Sequence, residues 1–185
     1  PTGFELEFTT ENTNDVTQQA LPTMCVVLGA TGRGGPLSNI GEVDYSKMVH
    51  GEQEIVLHKP LPTNATVLST SKIANIYDKE KAALVILETT AVDSSDGEKM
   101  FTNISKLFFR GEGGWGGDRG PSEKFEFPDR DADHVVKYST RTDQALLYRL
   151  NGDRNPLHSD PSFAALGGFP KPILHGLCTY GFTGR

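Results

Sequence analysis

The sequence predicts an α+β fold, an antiparallel sheet followed by short helices. Three observations in the 185 residues carry this expectation. Long β-branched runs, separated by short turns, fill residues 52 to 109. A glycine-dense segment then interrupts the pattern. Beyond it, capping residues and leucines at helical spacing replace the strand signal.

The elements follow in order. Phe4, Leu6 and Phe8 alternate with polar residues, which predicts a short half-buried strand. Asn12 to Asp15 can start a helix or a turn. Leu21 to Ala30 is an apolar run, closed by a Gly/Pro loop at Thr31 to Pro36. Strands are expected at Ile55 to Leu57, Ala65 to Tyr77, Ala82 to Val92 and Met100 to Phe109. Lys59-Pro60-Leu61-Pro62 and Asp78-Lys79 are turns, and Ser94-Ser95-Asp96-Gly97 is a hairpin turn. Gly111 to Pro121 holds six glycines and reads as a connector between two units. After it come a short strand at His134 to Thr140 and a helix from Thr142-Asp143 to Leu150, ended by Gly152 as a left-handed cap. A second helix has Asp160 as N-cap and Pro161 at its first position, and stops at Gly167-Gly168. A third runs from about Leu174. Leu21 to Cys25 can be laid on Leu174 to Cys178 with the cysteines in register, a weak internal echo that hints at a duplicated unit.

Composition narrows the function classes. Apolar residues make up 36% of the chain, enough for a core, and the net charge of −6 with no Lys/Arg run argues against a nucleic-acid partner. The two cysteines, Cys25 and Cys178, are far apart and sit in apolar runs. They read as buried free thiols, not as a disulfide framework or a metal cluster. No stretch is apolar over a bilayer's length, so no membrane partner is expected. Pro1 stands first instead of Met, as expected of a trimmed chain. Nothing near it reads as a signal peptide, and the last residues form no address signal.

The chemistry concentrates in Tyr148-Arg149-Leu150-Asn151-Gly152-Asp153-Arg154-Asn155-Pro156-Leu157-His158. A helix ends at Gly152. Asp153 and His158 follow in irregular backbone that Pro156 stiffens. A carboxylate and an imidazole across such a turn can point into one pocket, the equipment for paired acid and base work. An Asp after a helix can also serve only the turn's own amides. Asn155, between the two, is placed to position something by hydrogen bonding. Downstream, His175-Gly176 opens a helix whose free N–H groups suit a developing oxyanion.

The run from Tyr148 to His158 resembles the hydratase 2 motif of MaoC-like hot-dog proteins. So do Phe163-Ala164, Gly168-Phe169 and Lys171-Pro172-Ile173-Leu174-His175-Gly176-Leu177-Cys178. Within that family the chain looks most like the hydratase region of peroxisomal multifunctional enzyme type 2. In the first half, His50-Gly51-Glu52-Gln53, Lys59 to Pro62 and Tyr77-Asp78-Lys79 are similar to family segments. Resemblance thus covers nearly the whole chain.

The resemblance implies a tandem, or double, hot-dog, each half an antiparallel sheet wrapped around a central helix. Residues 1–120 would form a non-catalytic half that receives acyl-CoA. Residues 121–185 would open a catalytic half that is incomplete here, since Arg185 falls within its central helix. It further implies hydration of a trans-2-enoyl-CoA to an (R)-3-hydroxyacyl-CoA in fatty-acid β-oxidation. Asp153 and His158 would be the acid/base pair on one water, Asn155 its orienter, and Gly176 the N–H donor to the thioester oxygen. His50, Gly51 and Lys79 would touch CoA. No metal or other cofactor is expected, since CoA is part of the substrate. A peroxisomal location, and a homodimer or association with a C-terminal part, are further implications. Two other readings stay open: an acyl-CoA-binding or assembly fragment without turnover, and a hot-dog thioesterase.

Overall fold

The computed structural model describes residues 3–28, 35–122 and 125–184. Four long strands dominate it: β1 (Met48–Leu57), β2 (Val67–Asp78), β3 (Ala82–Asp93) and β4 (Lys99–Arg110). They form one sheet in the order β1-β4-β3-β2. Tight turns make β2–β3 and β3–β4 antiparallel. The β3–β4 turn is the expected hairpin at Ser94 to Gly97, where the Gly97 N–H donates to Asp93 O (2.8 Å) at a φ of +75°. β2 alternates between half-buried and exposed residues at most positions, as an edge strand with one covered face does. β3 and β4, with neighbours on both sides, hold most of the buried residues.

Contacts divide the chain into two compact units. The first comprises Pro1–Val43, His50–Asn75 and Val85–Leu107; the second comprises Asp44–Val49, Ile76–Leu84 and Phe108–Arg185. In the first, Cys25, Ala91, Met100 and Phe101 form the core, with Leu28, Ile55, Leu61 and Val67 packed against it. A ring as completely buried as Phe101 contributes about 1.5–3 kcal/mol. Cys25 lies in a 3₁₀ turn (Pro22–Val26), and its carbonyl accepts from Asn103 Nδ2 at 2.7 Å. Both cysteines are buried free thiols, as expected. Burial pushes the Cys25 thiol up to about 11 and raises that of Cys178.

In the second unit, Phe109 is buried and meets Tyr45 edge-on. Three short helices follow: α2 (Gln144–Tyr148), α3 (Pro161–Leu166) and α4 (Gly176–Thr183). Asp160 caps α3 by accepting the Ser162 and Phe163 N–H groups. Asp143 stands before α2 as expected. Its carboxylate pairs with Arg141 and leaves the helix amides uncapped.

Three expectations are corrected. Phe4 to Phe8 is not a strand. Leu6–Thr9 forms one helical turn, with the Thr9 and Thr10 hydroxyls bonded back to the carbonyls of Glu5 and Leu6. No ladder partner lies beside it among the described residues, so a local hydrogen-bonded turn wins over a brief alternation. His134 to Thr140 is exposed and forms no regular element, pairing with no strand among the described residues.

The third correction concerns the glycine-rich segment, which is folded down rather than left as a loose connector. The buried Asp78 carboxylate accepts N–H groups from Gly114, Gly116, Gly117 and Glu80 at 2.8 to 3.3 Å. Gly113 approaches β3 so closely that a Cβ there would fall 2.6 Å from the Ala82 nitrogen, so only glycine fits. The loop expected at Thr31 to Pro36 lies largely outside the described residues.

Candidate active site

The residues that carry chemistry gather in the second unit, around the turn that follows α2. α2 tightens into a 3₁₀ turn (Arg149–Asn151) and stops at Gly152, whose φ of +107° is the left-handed cap the sequence predicts. The chain then reverses through Asp153 to His158. Asp153 Oδ1 accepts the Asn155 N–H (3.1 Å), and Asn155 Oδ1 accepts the Leu157 N–H (3.0 Å). These two side-chain turns, with Pro156, fix the backbone of the segment. They also commit the Asn155 oxygen to the protein and leave its NH₂ as the end that can meet a solvent molecule.

His158 closes the turn. Its Nδ1 lies 2.8 Å from Ile173 O. A carbonyl only accepts, so Nδ1 carries the proton and Nε2 presents a lone pair in the neutral ring. Leu157, beneath it, is buried and anchors the segment.

α4 begins at Gly176, with His175 as its extended N-cap (φ −60°, ψ 135°). The His175 carbonyl accepts the Cys178 and Thr179 N–H groups. Among the described residues nothing accepts the Gly176 N–H, and Gly176 is exposed. An uncapped amide at a helix start is positioned to bond a developing negative oxygen.

Sequence reasoning passed over His175 itself. It is 2% exposed, and its ring stacks on that of His158 with centroids 3.7 Å apart and planes 27° apart. Tyr148 faces it at 4.7 Å. Its Nε2 reaches Asp153 O at 3.4 Å and stands 4.0 Å from Asp153 Oδ2. Desolvation, then the neighbouring His158, lowers its pKa, which favours the neutral ring. Burial, with Asp153 and Cys178 nearby, raises the Tyr148 hydroxyl to about 12. The signal was available: a His directly before the expected oxyanion donor, and a Tyr at the head of the motif.

Asp153, His158 and His175 each offer one donor atom, and these atoms lie within 4.8 Å of one another. One water molecule can bridge such a span. The same three are the residues that could hold a metal ion. The near-parallel stack works against that, because the in-plane lone pairs of stacked rings run side by side instead of converging. Beside His158 opens a cleft of about 350 Å³, lined among others by Thr140, Leu146, Lys171, Pro172 and Leu174. A second, of about 520 Å³, is lined by Val136, Tyr138, Thr140, Thr179, Phe182 and Thr183.

Asp153, Asn155, His158 and Gly176 are thus brought together. The other three sequence-predicted residues belong to the sheet and its turns. His50 and Gly51 lie on β1 in the first unit, where His50 Nε2 bonds Glu52 O at 3.0 Å. Lys79 lies in the β2–β3 turn of the second unit, and its Nζ donates to Pro121 O at 3.1 Å.

Comparison with known proteins gives consistent results. Residues 2–111 match the MFE-2 hydratase 2 N-terminal domain, and residues 124–185 match the MaoC like domain. 3-hydroxyacyl-thioester dehydratase Y of Mycobacterium tuberculosis is 46% identical over 98% of this chain and 63% of its own length. The crystal structure of a MaoC-like dehydratase from Phytophthora capsici superposes with a TM-score of 0.80 at 33% identity, covering 98% of this chain and 64% of that one. The full-length peroxisomal multifunctional enzyme type 2 of Drosophila melanogaster gives 0.73 at 39% identity, covering 96% and 30%. The chain spans 49% to 63% of the length of its curated relatives from M. tuberculosis, Dictyostelium discoideum and Arabidopsis thaliana.

Proposed function

The chain belongs to the MaoC-like, hydratase 2 family of hot-dog proteins, and from that premise we propose that it hydrates a trans-2-enoyl-CoA to the (R)-3-hydroxyacyl-CoA in fatty-acid β-oxidation. The observation that carries the reading is the placement of the Asp153 carboxylate beside the His158 imidazole, whose Nδ1 is fixed on Ile173 O.

The chemistry follows from those positions. The thioester oxygen takes the Gly176 N–H, which draws electron density from the conjugated double bond. A water between Asp153 and His158, steadied by the Asn155 NH₂, attacks C3 with its oxygen. His158 Nε2, which has the lone pair, accepts the proton released from that water. The pair of groups returns a proton to C2, so that one water is added in total. Both bonds form on the face that bears the two groups, which makes the addition syn. The reaction exchanges no electrons and the thioester activates its own alkene, so it needs no metal or redox cofactor.

The cleft beside His158 accepts the thioester end, with Lys171 at its wall. The second cleft shares Thr140 with it and offers Val136, Tyr138 and Phe182 to an acyl chain. Residues 1–120 are taken as the half that receives acyl-CoA, with His50, Gly51 and Lys79 toward the CoA moiety. Residues 121–185 are taken as the start of the catalytic half. A peroxisomal location follows relatives such as the Drosophila enzyme, and pairing with a second copy or with a C-terminal part belongs to the same reading. The M. tuberculosis relative, more similar still, belongs to an organism without that organelle.

A second reading is acyl-CoA binding without turnover. It is favoured by the bare apolar face of α2 and the turn after it, where Leu146, Leu147 and Leu150 are 57%, 54% and 81% exposed. The two separate cleanly with a medium-chain trans-2-enoyl-CoA. Loss of the conjugated-thioester absorbance, with an (R)-3-hydroxyacyl product and no free CoA, supports hydration. Binding with unchanged absorbance supports the second reading, and release of free CoA would instead identify a thioesterase.

A further inference from the structure

We infer that His175 is a positioning residue: it holds the His158 ring and the Asp153 backbone in register with the Gly176 amide, and so joins base, acid and oxyanion donor into one unit. This rests on the hydration reading above. It adds a residue to that site that neither the motif nor the expected roles assign.

One hydrogen bond, from Nδ1 to Ile173 O, pins one edge of the His158 ring. A single such bond leaves the ring free to rock about that contact, and Nε2 would swing with it. The missing constraint is a flat surface against the ring face. His175 supplies it, stacked at 3.7 Å and 27°. His175 is itself immobilised, being 2% exposed with Tyr148 against its ring.

The polar edge of His175 makes the second link. Its Nε2 lies 3.4 Å from Asp153 O, so Nε2–H donates to that carbonyl. This ties the turn bearing the carboxylate to the start of α4. The third link is covalent, because His175 immediately precedes Gly176. The His158 ring, the Asp153 backbone and the Gly176 amide are therefore each one contact or one bond from His175.

The charges around it fit a neutral platform. His158 stacks on its face, and the Arg149 guanidinium and the Asp153 carboxylate also act on it electrostatically. A proton gained by His158 during turnover then meets an uncharged ring. A phenyl ring in its place would keep the stack, and a carboxamide would keep the donor to Asp153 O. The two functions can therefore be separated by substitution.

The test uses the full-length protein and a trans-2-enoyl-CoA. His175→Ala is expected to lower kcat by about 100-fold, the cost of an ångström-scale misplacement, with KM changed by less than about threefold. His175→Gln, which is close to histidine in volume, and His175→Phe, which keeps a flat ring, should each recover part of the loss. They also read the effect if the alanine variant fails to fold. In parallel, side-chain ¹⁵N shifts of His158 are recorded without substrate. The unaltered protein should show a protonated Nδ1 and a bare Nε2, and His175→Gln should show the two tautomers mixing. Kcat within about threefold of normal in both His175→Phe and His175→Gln, or unchanged His158 nitrogens in His175→Gln, would overturn the inference. If the unaltered protein does not hydrate the thioester, the proposed function fails on its own, and the nitrogen shifts still decide whether His175 sets the His158 ring.

Discussion

The Nδ1 of His158 sits 2.8 Å from the carbonyl oxygen of Ile173, and this contact decides which nitrogen can act as a base. Ile173 lies in the segment that leads into α4. The backbone on one side of the site thus selects the tautomer of a side chain on the other.

That selection can be measured. In the free protein above the titration range of histidine, the ¹⁵N spectrum of His158 should show one dominant tautomer with Nδ1 protonated. An even mixture would mean that the Ile173 contact does not hold the ring.

Gly176 offers a second check. Proline is tolerated at the first position of a helix, where its missing N–H costs no intrahelical bond. The extended His175 backbone, at ψ 135°, is also what a residue before proline requires. Gly176→Pro should therefore fold normally and delete only the donor. Expected is a fall in kcat of about 10²–10³, the usual cost of one oxyanion donor, with the melting temperature little changed. Unchanged turnover would show that the thioester oxygen is bound elsewhere.

Asp78 gives a prediction about stability and pH. The Gly114 N–H, followed by those of Glu80, Gly116 and Gly117, holds its carboxyl below the usual range. A depressed folded-state value means the stabilisation is complete above the unfolded value of about 3.9 and disappears as pH falls through the folded one. Asp78→Ala should lower the melting temperature at pH 7 and flatten its decline below about pH 4. A variant that melts like the parent at pH 7 would show that the glycine loop closes without this carboxylate.

The thiols should be quiet. Cys25 is buried and raised to about 11, and Cys178 is buried and also raised. Ellman's reagent should label neither in the native state and both after denaturation. Rapid native labelling of either would contradict their burial.

Much of this was legible in the sequence because the signals were local. β-branched runs between short turns marked β2, β3 and β4, although β1 begins at Met48, ahead of its strongest run at Ile55 to Leu57. Gly152 and the Asp160-Pro161 pair marked helix ends because capping depends on a few adjacent residues. The errors arose where long-range pairing decides. Phe4 to Phe8 and His134 to Thr140 read like strands, yet a strand exists only with a ladder partner. Glycine density made 111–121 look like a loose linker. The acceptor that orders it, Asp78, lies more than thirty residues earlier, at the end of β2. His175 escaped notice for a related reason, since its stack on His158 joins positions seventeen apart in sequence.

The central claim is that Asp153 and His158 act together on one water. It is tested most directly by hydration rates of Asp153→Asn, His158→Gln and the double variant. Each single change should cost about 10²–10⁴ in kcat, and the double should cost little more than the worse single, because groups that act as a unit are not additive. Near-normal hydration by either single variant, or losses that multiply in the double, would contradict the account.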